Sequence, residues 1–293
     1  MATTAQWVEG ARLRTLPMAM APVIAGSAAA AGLGAFHPAR ALLALVVALL
    51  LQVGVNYAND YSDGIRGTDD ARVGPLRLVG SGAASPAAVK RAAFACFGAA
   101  MVAGLLLVVL SGTWWLLLVG AVSVVAAWYY TGGSRPYGYH GLGEVFVFVF
   151  FGLVAALGTT YTQALTVDGP AVVAAVATGL IATALLMANN IRDIPTDRAV
   201  GKRTLAVRLG DRAARATYVG MLAVALLLVL TVAPAHPWLL LVLLLAPVCV
   251  PACRRVLTAT QRADLIPVLR QTGLINLAWS LLFTVGVVLN LAV

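Results

Sequence analysis

The sequence has 293 residues, of which 61% are hydrophobic and only 11% are charged. A soluble globular domain carries roughly 25% charged residues, so water is not the main solvent of this chain. The net charge of +9 would suggest a nucleic-acid partner in a soluble protein, but in an apolar chain membrane topology and attraction to anionic headgroups account for it. Composition therefore excludes a nucleic-acid-binding protein and predicts a membrane protein in contact with lipid.

Apolar stretches of about 20 residues recur along the chain, and this is the length that an α-helix needs to cross the hydrocarbon core. We predict an all-α, polytopic membrane protein, a bundle of about nine transmembrane helices that forms a single domain of residues 1–293. No cleavable signal peptide precedes the first span, so we expect it to be retained. The predicted spans are residues 17–36, 41–60, 87–110, 114–131, 143–164, 171–191, 214–233, 237–256 and 272–292.

Basic residues are concentrated in alternate connections between the spans. Arg12 and Arg14 precede the first span, and further basic residues fill the connections at 66–91 and 192–215, whereas the opposite connections hold little beyond Arg40. Lys and Arg beside spans remain on the cytoplasmic side. We therefore expect a cytoplasmic N-terminus, an external C-terminus and a functional face, made by the longer and more polar connections, on the cytoplasmic side.

Acidic residues cluster where the second and sixth spans end. Six of the eleven acidic residues lie there: Asp60, Asp63, Asp69, Asp70, Asp193 and Asp197. In each cluster one Asn and two Asp follow helical spacing and share a face if the helix continues, namely Asn56–Asp60–Asp63 and Asn189–Asp193–Asp197. A single Asp of this kind often only balances a nearby arginine. Two matching clusters beside a membrane predict a functional site, because carboxylates there are costly unless they are paired, solvated or liganded.

Paired carboxylates beside cations are the groups that Mg²⁺ and a diphosphate need. Mg²⁺ takes oxygen ligands and commonly bridges carboxylates to substrate phosphates. Two facing clusters could clamp a diphosphate through Mg²⁺, while Arg66, Arg72, Lys202 and Arg203 add positive charge. For each of these cations taken alone, the topological bias of basic residues is an equally good explanation.

The acidic clusters resemble those of the UbiA superfamily of intramembrane aromatic prenyltransferases. The segment NDYSD, residues 59–63, is similar to the first Asp-rich motif of that family, and DIPTD, residues 193–197, to the second. The likeness runs over nearly the whole chain and includes the first helix, ARLRTLPMAMAPVIAG. One departure is Gly67, where the family often has a further Asp; Asp69 follows two residues later. This variant and the strings YTGGSRPYGYHGLGE and NNIRDIPTDRAVGKRTL resemble the 1,4-dihydroxy-2-naphthoate polyprenyltransferases of menaquinone synthesis.

The resemblance implies Mg²⁺-assisted ionisation of a polyprenyl diphosphate, attack on the allylic cation by 1,4-dihydroxy-2-naphthoate, and loss of CO₂ and diphosphate to give demethylmenaquinone. Together with the residue pattern, it predicts the catalytic residues Asp63, Asp193 and Asp197. The predicted metal ligands are Asp60, Asp63, Asp69, Asp193 and Asp197. The predicted substrate-binding residues are Asn56, Asn59, Arg66, Arg72, Arg135, Tyr137, Tyr139, Asn190, Lys202 and Arg203.

The connection between the fourth and fifth spans is expected to form a wall of the acceptor pocket. It places Arg135, Tyr137, Tyr139 and Glu144 within ten residues, and either tyrosine could pack against an aromatic ring or a cation. Both tyrosines could instead belong to the aromatic belt at the membrane surface.

Two other functions stay open at the level of sequence. A transporter also carries intramembrane acids, but these usually lie near the bilayer midplane and not at the ends of spans. Among enzymes, the acceptor could be 4-hydroxybenzoate, homogentisate, a porphyrin or a phosphoribosyl group, because composition and spacing give no view of the acceptor pocket.

Overall fold

The computed structural model of the protein describes residues 2–67 and 76–292. The predicted site residues Asp69 and Arg72 lie outside the described residues, as does Asp70. All regular secondary structure in the described residues is helical, which confirms the all-α prediction.

The described residues include nine apolar helices, which we number along the chain. They are α1 (Leu16–Gly32), α2 (Pro38–Ile65), α3 (Pro86–Ser111), α4 (Leu116–Tyr129), α5 (Gly143–Ala164), α6 (Gly169–Ala199), α7 (Asp211–Thr231), α8 (Pro237–Thr258) and α9 (Ile266–Ala292). Eight of them are long and apolar enough to cross a membrane, the first and last together with short preceding helices. Helix α4 has only 14 residues, about 21 Å of rise, against a hydrocarbon core of about 30 Å.

Local sequence explains where several helices begin. Proline occupies the first turn of α2, α3 and α6, where its missing N–H costs no hydrogen bond. The Ser85 hydroxyl accepts a hydrogen bond from the backbone N–H of Ala88 at 3.3 Å, and the Asp168 carboxylate accepts one from Ala171 at 2.9 Å. These caps satisfy amides at helix ends that have no partner within the helix.

Helix α6 is the central element of the bundle and packs against α1, α5, α7 and α9. Its contact with α5 depends on glycine. A Cβ at Gly152 of α5 would lie 2.6 Å from the Cα of Gly179 in α6. Small residues allow such close approach between helices in a bilayer, where dispersion contacts and not water exclusion drive association. On the other side of α6, Trp279 and Phe283 of α9 are stacked and fully buried.

The N-terminal helix Thr4–Gly10 packs beside α2 at the end of the bundle that carries the acidic motifs. The Tyr57 hydroxyl donates to the carbonyl of Trp7 at 2.9 Å, and the two rings meet edge to face at 5.5 Å. Leu78, in the connection between α2 and α3, is fully buried in the same apolar cluster. This end of α2 is therefore covered by protein, whereas Leu118 of α4 is 72% exposed, as expected for a lipid-facing residue.

Helix ends are grouped at the two ends of the bundle. At one end, the Arg40 guanidinium at the start of α2 donates to the carbonyls of Leu110 at 2.6 Å and Thr162 at 3.1 Å, which close α3 and α5. At the other end, the C-terminal turns of α2 and α6 meet the connection between α4 and α5. Both acidic clusters therefore lie at one end, as alternating helix direction requires.

Candidate active site

Tyr139 joins the two Asp-rich motifs. It lies in the 3₁₀ turn Tyr137–His140, and its hydroxyl donates to Oδ1 of Asp63 at 2.8 Å. The Nζ of Lys202 lies 4.7 Å from the centre of the Tyr139 ring and 3.8 Å from Oδ1 of Asp197. Asp63 and Asp197 are both buried. The structure thus brings together four of the predicted site residues from three separate parts of the chain.

The backbone keeps this arrangement in place. Helix α2 continues through Asp63 and α6 through Asp197, so the helical continuation expected from the spacing is confirmed. The backbone N–H of Lys202 donates to the carbonyl of Asp197 at 2.8 Å, and that of Arg203 donates to the carbonyl of Tyr139 at 2.9 Å. The Thr204 hydroxyl also donates to Oδ2 of Asp197 at 3.3 Å. The loop after α6 is therefore bonded both to its own helix and to the Tyr139 turn.

Asp60 holds the connection that follows α2. Its two carboxylate oxygens accept hydrogen bonds from the backbone N–H groups of Leu78 at 2.7 Å and Val79 at 2.9 Å, and the residue is fully buried. Metal binding by Asp60 stays a prediction. The contacts observed for this carboxylate are those of an anchor for the connection, because two amide donors satisfy a buried carboxylate well.

The two predicted asparagines of the first motif contact different parts of the protein. Asn56 donates through Nδ2 to the carbonyl of Ala11 at 2.9 Å and to the Thr15 hydroxyl at 3.1 Å. Asn59 accepts a hydrogen bond from the Thr131 hydroxyl at 2.8 Å. Asn56 thereby ties α2 to the N-terminal segment, and Asn59 ties it to the connection between α4 and α5.

The second motif carries its own cation. The guanidinium of Arg192 binds Asp193 in a bidentate manner, with Nε–Oδ1 at 2.6 Å and Nη2–Oδ2 at 2.7 Å, and it also donates to Asn189 at 2.9 Å. On the neighbouring face of α6, Asn190 donates to Oε1 of Glu144 at 2.8 Å. The bidentate pairing of Arg192 with Asp193 is the strong form of charge-assisted hydrogen bonding.

The remaining predicted cations occupy different positions. Arg66 donates to the carbonyls of Thr131 and Gly133, and its Cζ lies 5.4 Å from the centre of the Tyr139 ring. Arg135 and Arg203 are exposed at the same end of the bundle. Arg66 therefore borders the junction of the two motifs directly, whereas Arg135 and Arg203 lie on its surface.

The two predicted tyrosines have different surroundings. The Tyr137 ring is stacked on Phe146 with centroids 3.9 Å apart, and its hydroxyl donates to the carbonyl of Ala126 at 2.9 Å. Burial raises the pKa of Tyr137, so its hydroxyl is neutral at physiological pH. Burial also raises the pKa of Tyr130, whose ring meets the Tyr137 ring edge to face with centroids 5.5 Å apart.

Three charged residues of this region were not among the predicted site residues. Arg77 lies 3.6 Å from Oδ2 of Asp63, Arg192 binds Asp193, and Glu144 binds Asn190. Arg192 and Glu144 lie within the sequence strings that carry the family resemblance, whereas Arg77 lies 14 residues after the first Asp-rich motif. The sequence signal for these three residues was their charge. Position in the sequence did not separate Arg77 and Arg192 from cations that only set the membrane topology.

The chemistry of the described donors fits a divalent cation only in combination with a substrate. Within the described residues no group of three His, Cys, Asp or Glu side chains converges as a metal site. Asp63 and Asp197 supply the hard oxygen donors that Mg²⁺ prefers, with Arg77 at 3.6 Å from Asp63 and Lys202 at 3.8 Å from Asp197. Diphosphate oxygens would complete the coordination.

The chain is similar to known proteins over most of its length. Residues 19–270 match the UbiA prenyltransferase family. The chain is 56% identical over 281 residues to a 1,4-dihydroxy-2-naphthoate octaprenyltransferase of Mycobacterium tuberculosis, covering 96% of each protein.

Two solved structures share the fold. A UbiA homologue from Aeropyrum pernix superposes with a TM-score of 0.69 at 18% identity, covering 93% of this chain and 98% of the other. A UbiA homologue from Archaeoglobus fulgidus, bound to GPP and Mg²⁺, gives a TM-score of 0.63 at 13% identity over 98% of this chain and 100% of the other. The chain is a multi-pass membrane protein and belongs to the UbiA prenyltransferase family.

Proposed function

We propose that this enzyme transfers a polyprenyl group from a polyprenyl diphosphate to 1,4-dihydroxy-2-naphthoate, with loss of CO₂ and diphosphate, to give demethylmenaquinone. The observation that carries the proposal is the junction at Tyr139, which connects Asp63 of the first motif to Lys202 and Asp197 of the second. Such a junction places acids and cations around one region, as diphosphate departure requires. The naphthoate acceptor is supported by the high identity to the mycobacterial octaprenyltransferase.

The diphosphate binds between the ends of α2 and α6. Arg66 and Lys202 lie against the Tyr139 ring and Arg77 lies beside Asp63, and these cations neutralise charge that accumulates on the departing pyrophosphate. Asp63 and Asp197 hold Mg²⁺ against the same oxygens, and the bound metal supplies Lewis-acid stabilisation of the leaving group. The solved homologue with GPP and Mg²⁺ supports this pairing. We infer that Asp193, held by its ion pair with Arg192, lies beside these groups. Asp60 has the anchoring role that its two amide contacts indicate.

Tyr139 is the better placed of the two predicted tyrosines for the diphosphate region. Its hydroxyl donates to Asp63 and its ring lies against Arg66 and Lys202, so it positions two cations beside the leaving group. The Tyr137 ring is instead stacked on Phe146 within the protein. Arg135 and Arg203, exposed nearby, attract the acceptor carboxylate from water.

The apolar surface of the bundle accommodates the prenyl chain, and the polar end faces the cytoplasm. We infer this orientation, with the N-terminus cytoplasmic and the C-terminus outside, from the concentration of Lys and Arg at the end that carries both motifs. An external C-terminus requires the short helix α4 to cross together with its flanking residues. We infer further that residues 1–293 act as one domain.

The proposed function is tested with purified enzyme, polyprenyl diphosphates and a panel of acceptors. We expect a lipid-soluble prenylated naphthoquinol and release of CO₂ with 1,4-dihydroxy-2-naphthoate, and no prenylation of 4-hydroxybenzoate, homogentisate, a porphyrin or a phosphoribosyl compound. Efficient transfer to one of these others, with none to the naphthoate, would refute the acceptor. Lack of transfer to every acceptor, in protein that is folded and supplied with Mg²⁺, would refute the enzymatic assignment.

A further inference from the structure

Glu144 is a buried carboxylate that lacks half of its hydrogen bonds. It is the second residue of α5 and only 3% exposed. Its Oε1 accepts from Nδ2 of Asn190 at 2.8 Å, whereas its Oε2 is covered and has no hydrogen-bond partner. Across the described residues no cation lies within ion-pair distance of it. Asn190 is therefore the one side chain among the described residues that donates to this acid.

Packing gives no reason for an acid at this position. A buried acceptor without a partner destabilises the fold, and more so when it is charged. Nearly all buried polar groups in proteins are hydrogen-bonded, so an exception calls for a functional explanation. A neutral residue of similar size would avoid the cost. The lost stability is regained when a ligand supplies the missing hydrogen-bond donor.

The surroundings of Glu144 indicate which ligand this is. The Tyr130 ring lies directly beside the helix start, since a Cβ at Gly143 would be 3.2 Å from its Cε2. The connection that leads to Glu144 carries Tyr139, whose hydroxyl donates to Asp63, and the Asn190 partner of Glu144 lies on α6 seven positions before Asp197. Glu144 is thus in the aromatic wall that borders the diphosphate region, where an aromatic acceptor must lie to meet the allylic carbon.

We propose that Glu144 binds the aromatic acceptor and serves as its proton acceptor, with Oε2 receiving the proton of the ring hydroxyl adjacent to the carbon that bears the carboxylate. This inference rests on the proposed function, because it presupposes a dihydroxynaphthoate substrate. The ligand class that fits is a phenolic hydroxyl, which is the donor that Oε2 lacks. Because Oε2 is covered, the acceptor contacts it once the side chains over it move aside.

The proton balance of this step closes without another reagent. The C–O bond of the allylic diphosphate breaks and its electron pair leaves with pyrophosphate. The ring carbon that bears the carboxylate forms the new C–C bond, while Glu144 takes the adjacent hydroxyl proton and a ketone remains. The resulting β-keto carboxylate loses CO₂, the released electron pair restores the aromatic ring, and Glu144 returns its proton to the oxygen.

Glu144→Gln tests the inference with little structural change. The Gln side-chain oxygen still accepts from Asn190, but an NH₂ donor replaces the Oε2 acceptor. We expect turnover to fall by about 100-fold or more, within the range for lost general-base catalysis, with a raised KM for the naphthoate and an unchanged KM for the prenyl diphosphate. The melting temperature should not fall, since a buried charge is removed. Asp264→Asn, an exposed acid, is the matched control and should retain activity.

Acceptor analogues decide between a contact and a structural effect. The compound 1-hydroxy-2-naphthoate keeps the hydroxyl next to the carboxylate, and 4-hydroxy-2-naphthoate lacks it. Their dissociation constants for wild type, Glu144→Gln and Glu144→Asp are measured by competition with the full acceptor. Glu144→Gln should weaken binding of the first compound at least tenfold and leave that of the second unchanged, and Glu144→Asp should bind the first better than Glu144→Gln does.

The outcomes separate the two hypotheses. The role of Glu144 would be overturned if both analogues were weakened equally, or if Glu144→Gln turned over as fast as the wild-type enzyme. In either case, prenylation of the naphthoate by the wild-type enzyme would leave the proposed function intact. If wild type itself fails to prenylate the naphthoate, the proposed function falls first. If Glu144→Gln does not fold, the test uses Glu144→Asp and the relative affinity of the wild-type enzyme for the two analogues. Equal affinity of the wild-type enzyme for both analogues would then count against the inference.

Discussion

The hydrogen bond from Tyr139 to Asp63 offers a single-atom test of the joint site. Tyr139→Phe deletes only the hydroxyl that donates to Oδ1 at 2.8 Å and keeps the ring beside Lys202. A hydrogen bond to a charged group contributes about 1.5–3 kcal/mol. If all of it orients Asp63 for diphosphate departure, kcat/KM falls by about 10- to 150-fold, at about 1.4 kcal/mol per factor of ten.

A second substitution separates the hydroxyl from the ring. Tyr139→Leu also removes the aromatic face, which lies 4.7 Å from Lys202 Nζ and 5.4 Å from Arg66 Cζ. An additional loss of about 0.5–2 kcal/mol is expected from the missing cation–π contacts. The Leu variant should therefore be slower than the Phe variant by a further factor of about 2 to 30.

The assay is steady-state prenylation by purified enzyme in detergent, with both substrates varied and the melting temperature measured in parallel. Tyr218→Phe is the matched control: its hydroxyl is hydrogen-bonded to that of Thr272 at 2.7 Å in the apolar core. It should lose stability and keep kcat/KM. Wild-type kcat/KM in Tyr139→Phe, at an unchanged melting temperature, would show that the junction between the motifs has no part in catalysis.

Other tests address the metal, the motifs, the topology and the packing. Chelation of divalent cations should abolish turnover and Mg²⁺ should restore it; full activity in excess chelator would refute a metal clamp. Asp63→Asn and Asp197→Asn should each cost about two orders of magnitude in turnover, and the double variant little more, because parts of one unit are not additive; small additive losses would mean independent acids. A reporter active only outside the cytoplasm should work when fused after Val293 and be silent within residues 196–206; the reverse would overturn the orientation. Gly179→Val should lower the melting temperature without changing KM, because a Cβ there meets the Gly152 backbone at 3.0 Å; unchanged stability would contradict the close helix contact.

Membrane character and the location of the acidic motifs followed from the sequence. A bilayer satisfies no backbone hydrogen bond. Long uninterrupted apolar runs therefore cross it as helices, which satisfy their backbone groups internally. Eight of the nine predicted spans correspond to described helices that are long and apolar enough to cross a membrane, whereas the fourth, at 114–131, contains the helix Leu116–Tyr129 of only 14 residues. Apolar composition marks a segment as buried in lipid, but the local backbone decides how many of its residues continue the helix.

The partners of the site residues were decided by tertiary structure. Spacing put Asp60 and Asp63 on one helix, yet packing directs Asp60 to two loop amides and Asp63 to Tyr139, 76 positions later in the chain. The same holds for Glu144, whose sequence neighbours say nothing of Asn190. Periodicity reports which face a residue occupies on its own helix. The tertiary packing determines which side chain of another element each site residue contacts. That packing depends on how the helices cross, and the crossing of α5 and α6 is set by small residues such as Gly152.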